Sequence, residues 1–220
     1  MAKSVFLGIG HGGKDPGAVA NGLKEKDLNL AVGKYAYDEL VRHGVSAKMS
    51  RTDDASDSLD DRVKECNAFL GSDGLAVDIH HNAGGGDGAE AYYHYKGGES
   101  IILANNILAE VVKIGQNSRG AKKKQGTDGK DYYGFIRETK APAVIVECAF
   151  IDNKTDIAIV DTAEEQKKMG IAIAKGILAT LGVKYIEPEA PKPTNPSAKE
   201  YTINVAKLKA DGYTKIILEV

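Results

Sequence analysis

A short apolar run followed at once by a histidine on a glycine-rich turn constrains the fold of this chain more than any other feature. Residues 5–9 are apolar and are typical of a buried strand. His11 follows among several glycines, and Pro16 prevents a helix from starting directly after the strand. Because such a turn lies at the carboxyl end of a central strand, we expect His11 to face a cleft.

Strands and helices alternate along the rest of the chain. The spacing of apolar residues predicts helices over residues 23–42, 59–70, 101–112 and 163–181. Strands are predicted at residues 45–49, 75–79, 89–95, 132–137 and 143–146, and a flexible surface loop at residues 116–130. This order predicts an α/β fold, a single three-layer domain with a mostly parallel central sheet flanked by helices.

The composition changes sharply near residue 184. Four prolines among Glu, Lys and Ser residues predict an extended linker over residues 185–199. The linker divides a main domain, residues 1–184, from a short C-terminal segment, residues 200–220. That segment has strand and helix patterns but is too short for a core of its own. It is expected to pair with another copy of the chain, to dock on the main domain, or to be a remnant of a longer module.

Composition excludes several classes of function. A net charge of -2 gives no basic face for nucleic acid, and we interpret the lysines at 122–124 as solvated surface. No apolar run approaches the roughly 20 residues of a membrane span. The first residues enter the first strand directly, so we expect no signal peptide and synthesis in the cytoplasm. Cys66 and Cys148 are expected to be buried and reduced.

Three strand or loop ends carry groups that bind metals or transfer protons. These groups are His11, His80 or its neighbour His81, and Glu147, while Glu25 stands at the start of the first predicted helix. Two histidines and a carboxylate commonly hold a catalytic zinc and its water, and a second carboxylate then takes the proton of that water. Taken singly, each histidine is also explained by an ordinary hydrogen bond, and Glu25 by compensation of a helix dipole.

Two carboxylates interrupt apolar strands. Glu147 is embedded in the apolar segment 143–150, where a carboxylate is costly unless it is paired or functional. Asp78 interrupts residues 75–79 in the same way, and it either hydrogen-bonds a neighbouring loop or orients a histidine.

Several motifs occur in a fixed order and at suitable spacing between residue 4 and about residue 182. They read GHGGKDPGA at 10–18, GLKEKDLNL at 22–30, RTDD at 51–54, IHHNA at 79–83 and PAVIVECAFIDN at 142–153. Together they resemble the motifs of the zinc-dependent N-acetylmuramoyl-L-alanine amidases of the type-3 family. The resemblance implies that His11, Glu25 and His80, rather than His81, bind zinc and that Glu147 is the general base.

The resemblance also implies a substrate. Members of that family hydrolyse the amide between N-acetylmuramic acid and L-alanine in peptidoglycan, which leads to lysis of the cell wall. Asn82 and Arg119 are then candidates for binding the substrate. A wall hydrolase without a signal peptide is expected to be a phage endolysin or an autolysin, released through holin-type membrane holes or by lysis, and residues 200–220 are then also candidates for wall targeting.

The chain departs from the family pattern at two places. Asp78 stands where the family usually has Ser, and Cys148-Ala149 stands where Gly is common. Neither is expected to touch a proposed ligand, so the departures are expected to affect substrate preference.

Two other functions fit the sequence less well. A non-catalytic wall-binding protein with a decayed site is disfavoured because all four chemical groups are present. Dinucleotide binding at the glycines of residues 8–13 is disfavoured because Asp15, Pro16 and Gly17 prevent the helix that such a loop requires.

Overall fold

A six-stranded sheet runs through residues 4–188, the part of the chain that this computed structural model describes. The strands are, in chain order, β1 (Ser4–Ile9), β2 (Val19–Ala20), β3 (Leu23–Lys24), β4 (Ala47–Met49), β5 (Gly74–Asn82), β6 (Ala89–Tyr93), β7 (Ser118–Lys122) and β8 (Ala143–Phe150). The helices are α1 (Glu25–Arg42), α2 (Leu59–Leu70), α3 (Glu99–Lys113), α4 (Gly134–Glu138), α5 (Lys154–Ile157) and α6 (Ala163–Leu181). Most of the predicted linker, and the whole of the predicted segment 200–220, lie outside the described residues.

The strand order is β4-β1-β5-β8-β6-β7. Every neighbouring pair is parallel except β6 and β8, which are antiparallel. The two short strands β2 and β3 form a separate hairpin. The predicted α/β fold with a mostly parallel sheet is thus confirmed. Because β1, β5 and β8 are parallel, their carboxyl ends lie at one edge of the sheet.

One face of the sheet is closed by the three long helices α1, α3 and α6. Leu7 and Val77 on the strands belong to the same fully buried cluster as Ile107 and Ile173 on the helices. The helices α3 and α6 approach closely at Gly176 of α6. A Cβ at this position would lie only 2.4 Å from the Cα of Ile107 on α3. Hydrophobic burial on this face is therefore continuous.

The other face carries a smaller apolar cluster beneath α2 and α4. Phe6, Ala76 and Ile145 on the strands pack there with Cys66 and Phe135 on the helices. Side chains alternate along a strand. On β5 and β8, the alternate residues that come after Ala76 and Ile145 therefore face the same side of the sheet. They lie past the part of this face that α2 and α4 cover.

The structure differs from the prediction in the segment 116–137. Residues 132–137 were predicted as a strand because they are aromatic and apolar, and this prediction is wrong. The segment turns into α4, whose Phe135 and Ile136 are buried, and Arg137 closes the turn with bonds to the carbonyls of Asp131 and Tyr132. The predicted loop contains β7, an edge strand that tolerates polar residues.

Cys66 and Cys148 are both buried and unpaired, as predicted. None of the helices in residues 4–188 combines the length and the apolar character needed to cross a membrane.

Candidate metal centre and catalytic cleft

His11 lies in a tight turn directly after β1. Gly12 and Asp15 exchange backbone hydrogen bonds of 3.0 and 3.1 Å across the turn. His11 adopts a φ of 63°, in the left-handed region that is uncommon for a residue with a side chain. Its Nδ1 lies 2.7 Å from Asp15 Oδ2. The turn therefore fixes the imidazole with Nε2 directed away from Asp15.

Glu25 is the first residue of α1 and receives contacts from two histidines. His11 Nε2 lies 3.1 Å from Glu25 Oε2, and His80 Nδ1 lies 2.9 Å from Glu25 Oε1. Backbone N–H groups of Ala18 and His81 donate to the same carboxylate at 2.9 and 3.1 Å. Burial alone would raise the pKa of Glu25, but the hydrogen bonds from both imidazoles hold it well below its usual range.

The structure brings His80, and not His81, to Glu25. Successive side chains on β5 point to opposite faces of the sheet. His81 is buried, with Nδ1 2.7 Å from Asn29 Oδ1. Burial lowers the pKa of His81 to about 4, which keeps its imidazole neutral near pH 7. Of the two histidines, only His80 therefore brings its imidazole to the carboxylate of Glu25.

Two glycines make room for this cluster. A Cβ at Gly10 would lie 2.3 Å from Cε1 of His80. A Cβ at Gly17 would lie 2.6 Å from Glu25 Oε2 and 2.7 Å from Cδ2 of His11. Side chains at these positions would displace the three clustered groups, so the glycines are needed for close approach.

The three side chains form a donor set suited to zinc. Ligand atoms of His11, Glu25 and His80 all lie within 4.8 Å of one another, and among residues 4–188 no other group of His, Cys, Asp and Glu meets this criterion. Nitrogen and oxygen ligands at about 2.0–2.1 Å in a tetrahedral site lie about 3.3 Å apart. The contacts of 3.1 and 2.9 Å to Glu25 are close to that separation. The residues therefore fit zinc.

Glu147 lies on β8 beside the cluster, with its backbone in register with that of His80. It is half-buried, and its Oε2 is buried without a hydrogen-bond partner among the described residues. Burial raises the pKa of Glu147 to about 7. A carboxyl group of this kind exchanges a proton near neutral pH, as a general base must.

Asp78 touches His80, contrary to the expectation that it would not contact a proposed ligand. Its Oδ2 lies 3.2 Å from His80 Nε2, on the side of the ring away from Glu25. Arg62 donates to both oxygens of Asp78, at 3.2 and 3.0 Å, and also to Asp57. Of the two alternatives drawn from the sequence, the contact supports orientation of a histidine. The other departure from the family pattern, Cys148, is buried on the closed face.

Arg51 and Asn29 join the segments that carry the three clustered residues. Arg51 donates to the carbonyls of Gly10 and Lys26, at 3.2 and 2.7 Å. Asn29 donates to Gly10 at 3.0 Å and also contacts His81. The carbonyls belong to neighbours of His11 and Glu25. Sequence reasoning placed Arg51 in a motif without a role and did not single out Asn29.

Asn82 and Arg119, the predicted substrate-binding residues, meet on a residue that sequence reasoning missed. Asn82 Nδ2 donates to Glu90 Oε1 at 3.2 Å, and Arg119 Nε donates to Glu90 Oε2 at 2.7 Å. Glu90 pairs in register with Glu147 across β6 and β8. One signal was available in the sequence, since Glu90 is a charged residue between two alanines in a predicted strand.

An open cleft of about 420 Å³ adjoins the cluster. His11, His80 and Glu147 contribute to its wall, and α2 and α4 supply Leu59 and Phe135. The wall of the cleft combines charged and polar side chains with apolar ones, a mixture suited to binding a substrate.

A doubly flanked sheet whose strand ends gather two histidines and a glutamate, beside a glutamate that protonates near pH 7, is typical of metal-dependent hydrolases. The comparison with known proteins narrows this class. Residues 5–179 match the family model for N-acetylmuramoyl-L-alanine amidase, and the chain belongs to this family.

Three similar proteins support the assignment. The endolysin of Bacillus phage SPP1 is 34% identical over 97% of this chain and 79% of its own. The sporulation-specific N-acetylmuramoyl-L-alanine amidase of Bacillus subtilis is 33% identical over 82% of this chain and 69% of its own. The solved catalytic domain of CwlV, an N-acetylmuramoyl-L-alanine amidase of Bacillus (Paenibacillus) polymyxa var. colistinus, is 30% identical, with a TM-score of 0.72 over 83% of this chain and 99% of that domain.

The family and these relatives establish the reaction class. The chain is an N-acetylmuramoyl-L-alanine amidase that hydrolyses peptidoglycan. Dependence on zinc is general in its family.

Proposed function

We propose that His11, Glu25 and His80 hold the zinc of this amidase and that Glu147 is its general base. The observation that carries the proposal is the convergence of two imidazoles on one buried carboxylate, 3.1 and 2.9 Å away, next to a glutamate whose Oε2 has no partner among the described residues. When bound in such a site, zinc polarises the carbonyl group of an amide and makes water more acidic.

Glu147 moves the proton. Its Oε2 accepts a proton from the water that attacks the amide carbon, and then donates that proton to the departing nitrogen of L-alanine. Because burial raises the pKa of Glu147 to about 7, the carboxyl group can serve in both directions near neutral pH. Asp15 and Asp78 contact the outer nitrogens of the two imidazoles, at 2.7 and 3.2 Å, and hold the rings in place.

The substrate lies in the cleft between the strand ends and the short helices. The bond that is cleaved joins the lactyl group of N-acetylmuramic acid to L-alanine. Asn82 and Arg119 bind the substrate from the β6 side, where Glu90 fixes their positions.

The enzyme acts on the wall after release from the cell in which it is made. The support for this route is the similarity to the endolysin of phage SPP1. The same likeness favours bacterial peptidoglycan as the partner of the folded domain.

Removal and restoration of the metal, with identification of the products, test the proposal. Purified walls are digested by the native protein, by protein treated with a chelator, and by treated protein given zinc again. We expect new alanine amino groups and free lactyl ends in the first and third samples. Cleavage that survives complete zinc removal would contradict the zinc mechanism, and new reducing sugar ends in place of alanine amines would contradict the bond assignment.

A further inference from the structure

Glu90 is the centre of a polar network on the open face of the sheet. Its side chain is 4% exposed, and it stands opposite Glu147 on the neighbouring strand. A buried carboxylate is stable only when it is paired, and Glu90 has four partners. Tyr92 Oη donates to Oε1 at 2.9 Å beside Asn82, and Lys122 joins Arg119 at Oε2.

The network has more positive than negative charge. Two cations, Arg119 and Lys122, share the single carboxylate of Glu90. Lys122 belongs to the lysine cluster 122–124 that was predicted to be solvated surface. For Lys122 this prediction is wrong, because its side chain is only 33% exposed and is paired with Glu90. The ion pairs neutralise one of the two cations, so the hydrogen-bonded group keeps one net positive charge.

Arg119 is held rigidly and still has donors to offer. Its guanidinium carbon lies 5.0 Å from the centre of the Phe150 ring. That ring packs against Gly86, where a Cβ would lie 2.2 Å from Cζ. Within the described residues only Nε of Arg119 donates a hydrogen bond, so both terminal nitrogens keep their donors available on a side chain that is 37% exposed.

We propose that Arg119 and Lys122, fixed by Glu90, form a subsite for a carboxylate on the peptide part of the substrate. The inference rests on the proposed function, which places L-alanine and the residues after it beside Glu147. A planar guanidinium with two free nitrogens binds a carboxylate through two parallel hydrogen bonds. Besides Glu90, the carboxylate of Asp87 also acts on Arg119, and it is itself engaged by Asn117 at 2.9 Å.

The subsite discriminates between two forms of the stem peptide. A free carboxylate after L-alanine receives charge-assisted hydrogen bonds, whereas a neutral carboxamide presents an N–H group to donors that it cannot satisfy. The enzyme is therefore selective for peptidoglycan whose second peptide residue is not amidated.

The test uses two synthetic disaccharide tripeptides that differ only in the second residue, D-glutamate with a free α-carboxyl group or its α-carboxamide. Each is titrated by calorimetry into zinc-loaded Glu147→Gln protein, which binds without turnover. We expect the free acid to bind about ten-fold more tightly than the amide. In the double variant with Arg119→Gln we expect this ratio to fall to about two-fold, and with Arg119→Lys to remain near five-fold.

Controls separate this proposal from a structural role. Arg119→Gln leaves Glu90 paired with Lys122 and Tyr92, and its thermal midpoint is measured beside that of Arg42→Gln, which removes one arginine charge from the end of α1. Equal binding of the two peptides, binding of neither, or an unchanged ratio in Arg119→Gln would overturn the subsite. Digestion of walls by the native protein is measured in parallel, so that loss of the subsite is distinguished from failure of the amidase mechanism.

Discussion

The two faces of the central sheet are built from the same strands but differ in what covers them. On the closed face, β5 and β8 present Val77, Ile79, Val144 and Val146 to three long helices. On the open face, the alternate positions of the same strands end in Asp78, His80 and Glu147, and only short helices cover them in part.

Side-chain alternation along the strands assigns stability to one face of the sheet and chemistry to the other. One face buries aliphatic side chains without charge, which stabilises the fold. The other face is thereby able to hold buried carboxylates and imidazoles, whose desolvation is unfavourable. Substitutions on the closed face should change unfolding without changing zinc affinity, whereas substitutions near the strand ends of the open face should also change zinc binding or hydrolysis.

The largest difference is expected between separate substitutions of the two adjacent histidines of β5. His80→Gln should lose zinc and lower hydrolysis more than about 1,000-fold, because one of three ligands is removed. The side chain of His81 faces the closed side of the sheet, so His81→Gln should keep its zinc. Zinc content by mass spectrometry and release of alanine amines are the measurements. Loss of zinc in His81→Gln alone would reverse the ligand choice.

The second-largest effect is expected from loss of the buried ion pairs of Arg62 on the open face. Arg62→Met leaves the carboxylates of Asp57 and Asp78 without their cation, and we expect the free energy of unfolding to fall by about 3–5 kcal/mol. On the closed face, Ile177→Val should lower it by about 1 kcal/mol. Urea titrations of both variants check this. Equal losses would mean that the Arg62 pairs contribute no more than one methyl group.

Two glycines offer a matched test of smaller size. Gly10→Ala should push the His80 ring and weaken zinc binding about ten-fold, as loss of ligand positioning does. Gly176→Ala meets backbone atoms of α3 and should lower the free energy of unfolding by about 1–3 kcal/mol, with unchanged zinc affinity. Competition with a coloured chelator measures the affinity. A weaker affinity in Gly176→Ala would contradict the separation of the faces.

The smallest effects are expected at two helix N-caps. Ser58 and Thr162 each accept a hydrogen bond from a backbone N–H group, at the start of α2 and of α6. Ser58→Ala and Thr162→Ala should each lower the free energy of unfolding by about 1 kcal/mol. Because Ser58 lines the cleft, only its variant should change KM. A change in KM for Thr162→Ala would show that α6 influences the cleft.

Regular periodicity made much of the fold predictable. The apolar spacing predicted helices over residues 59–70 and 163–181, and α2 and α6 span these same residues. The segment 132–137 was not, because its aromatic residues suit a strand as well as a short helix. What decided the outcome was tertiary packing, since Phe135 and Ile136 become buried only against elements distant in the chain.

The sequence alone could locate those residues of the candidate site that stand directly at the end of a predicted strand. His11, His80 and Glu147 stand at strand ends, which a sequence pattern can locate. Glu25 had an adequate alternative explanation in the helix dipole, because its contacts with the histidines arise only after folding. Glu90 was missed for the same reason, since its cations come from β7, a strand that the sequence pattern presented as a loop.

The central claim is that one set of residues holds zinc while Glu147 moves the proton, and Glu147→Gln tests it most directly. Zinc content and release of alanine amines from purified walls are measured beside Glu65→Gln, an exchange at an exposed glutamate of α2. We expect Glu147→Gln to keep its zinc while hydrolysis falls about 1,000-fold. Hydrolysis within about ten-fold of the native rate would contradict the assignment of Glu147 as the general base.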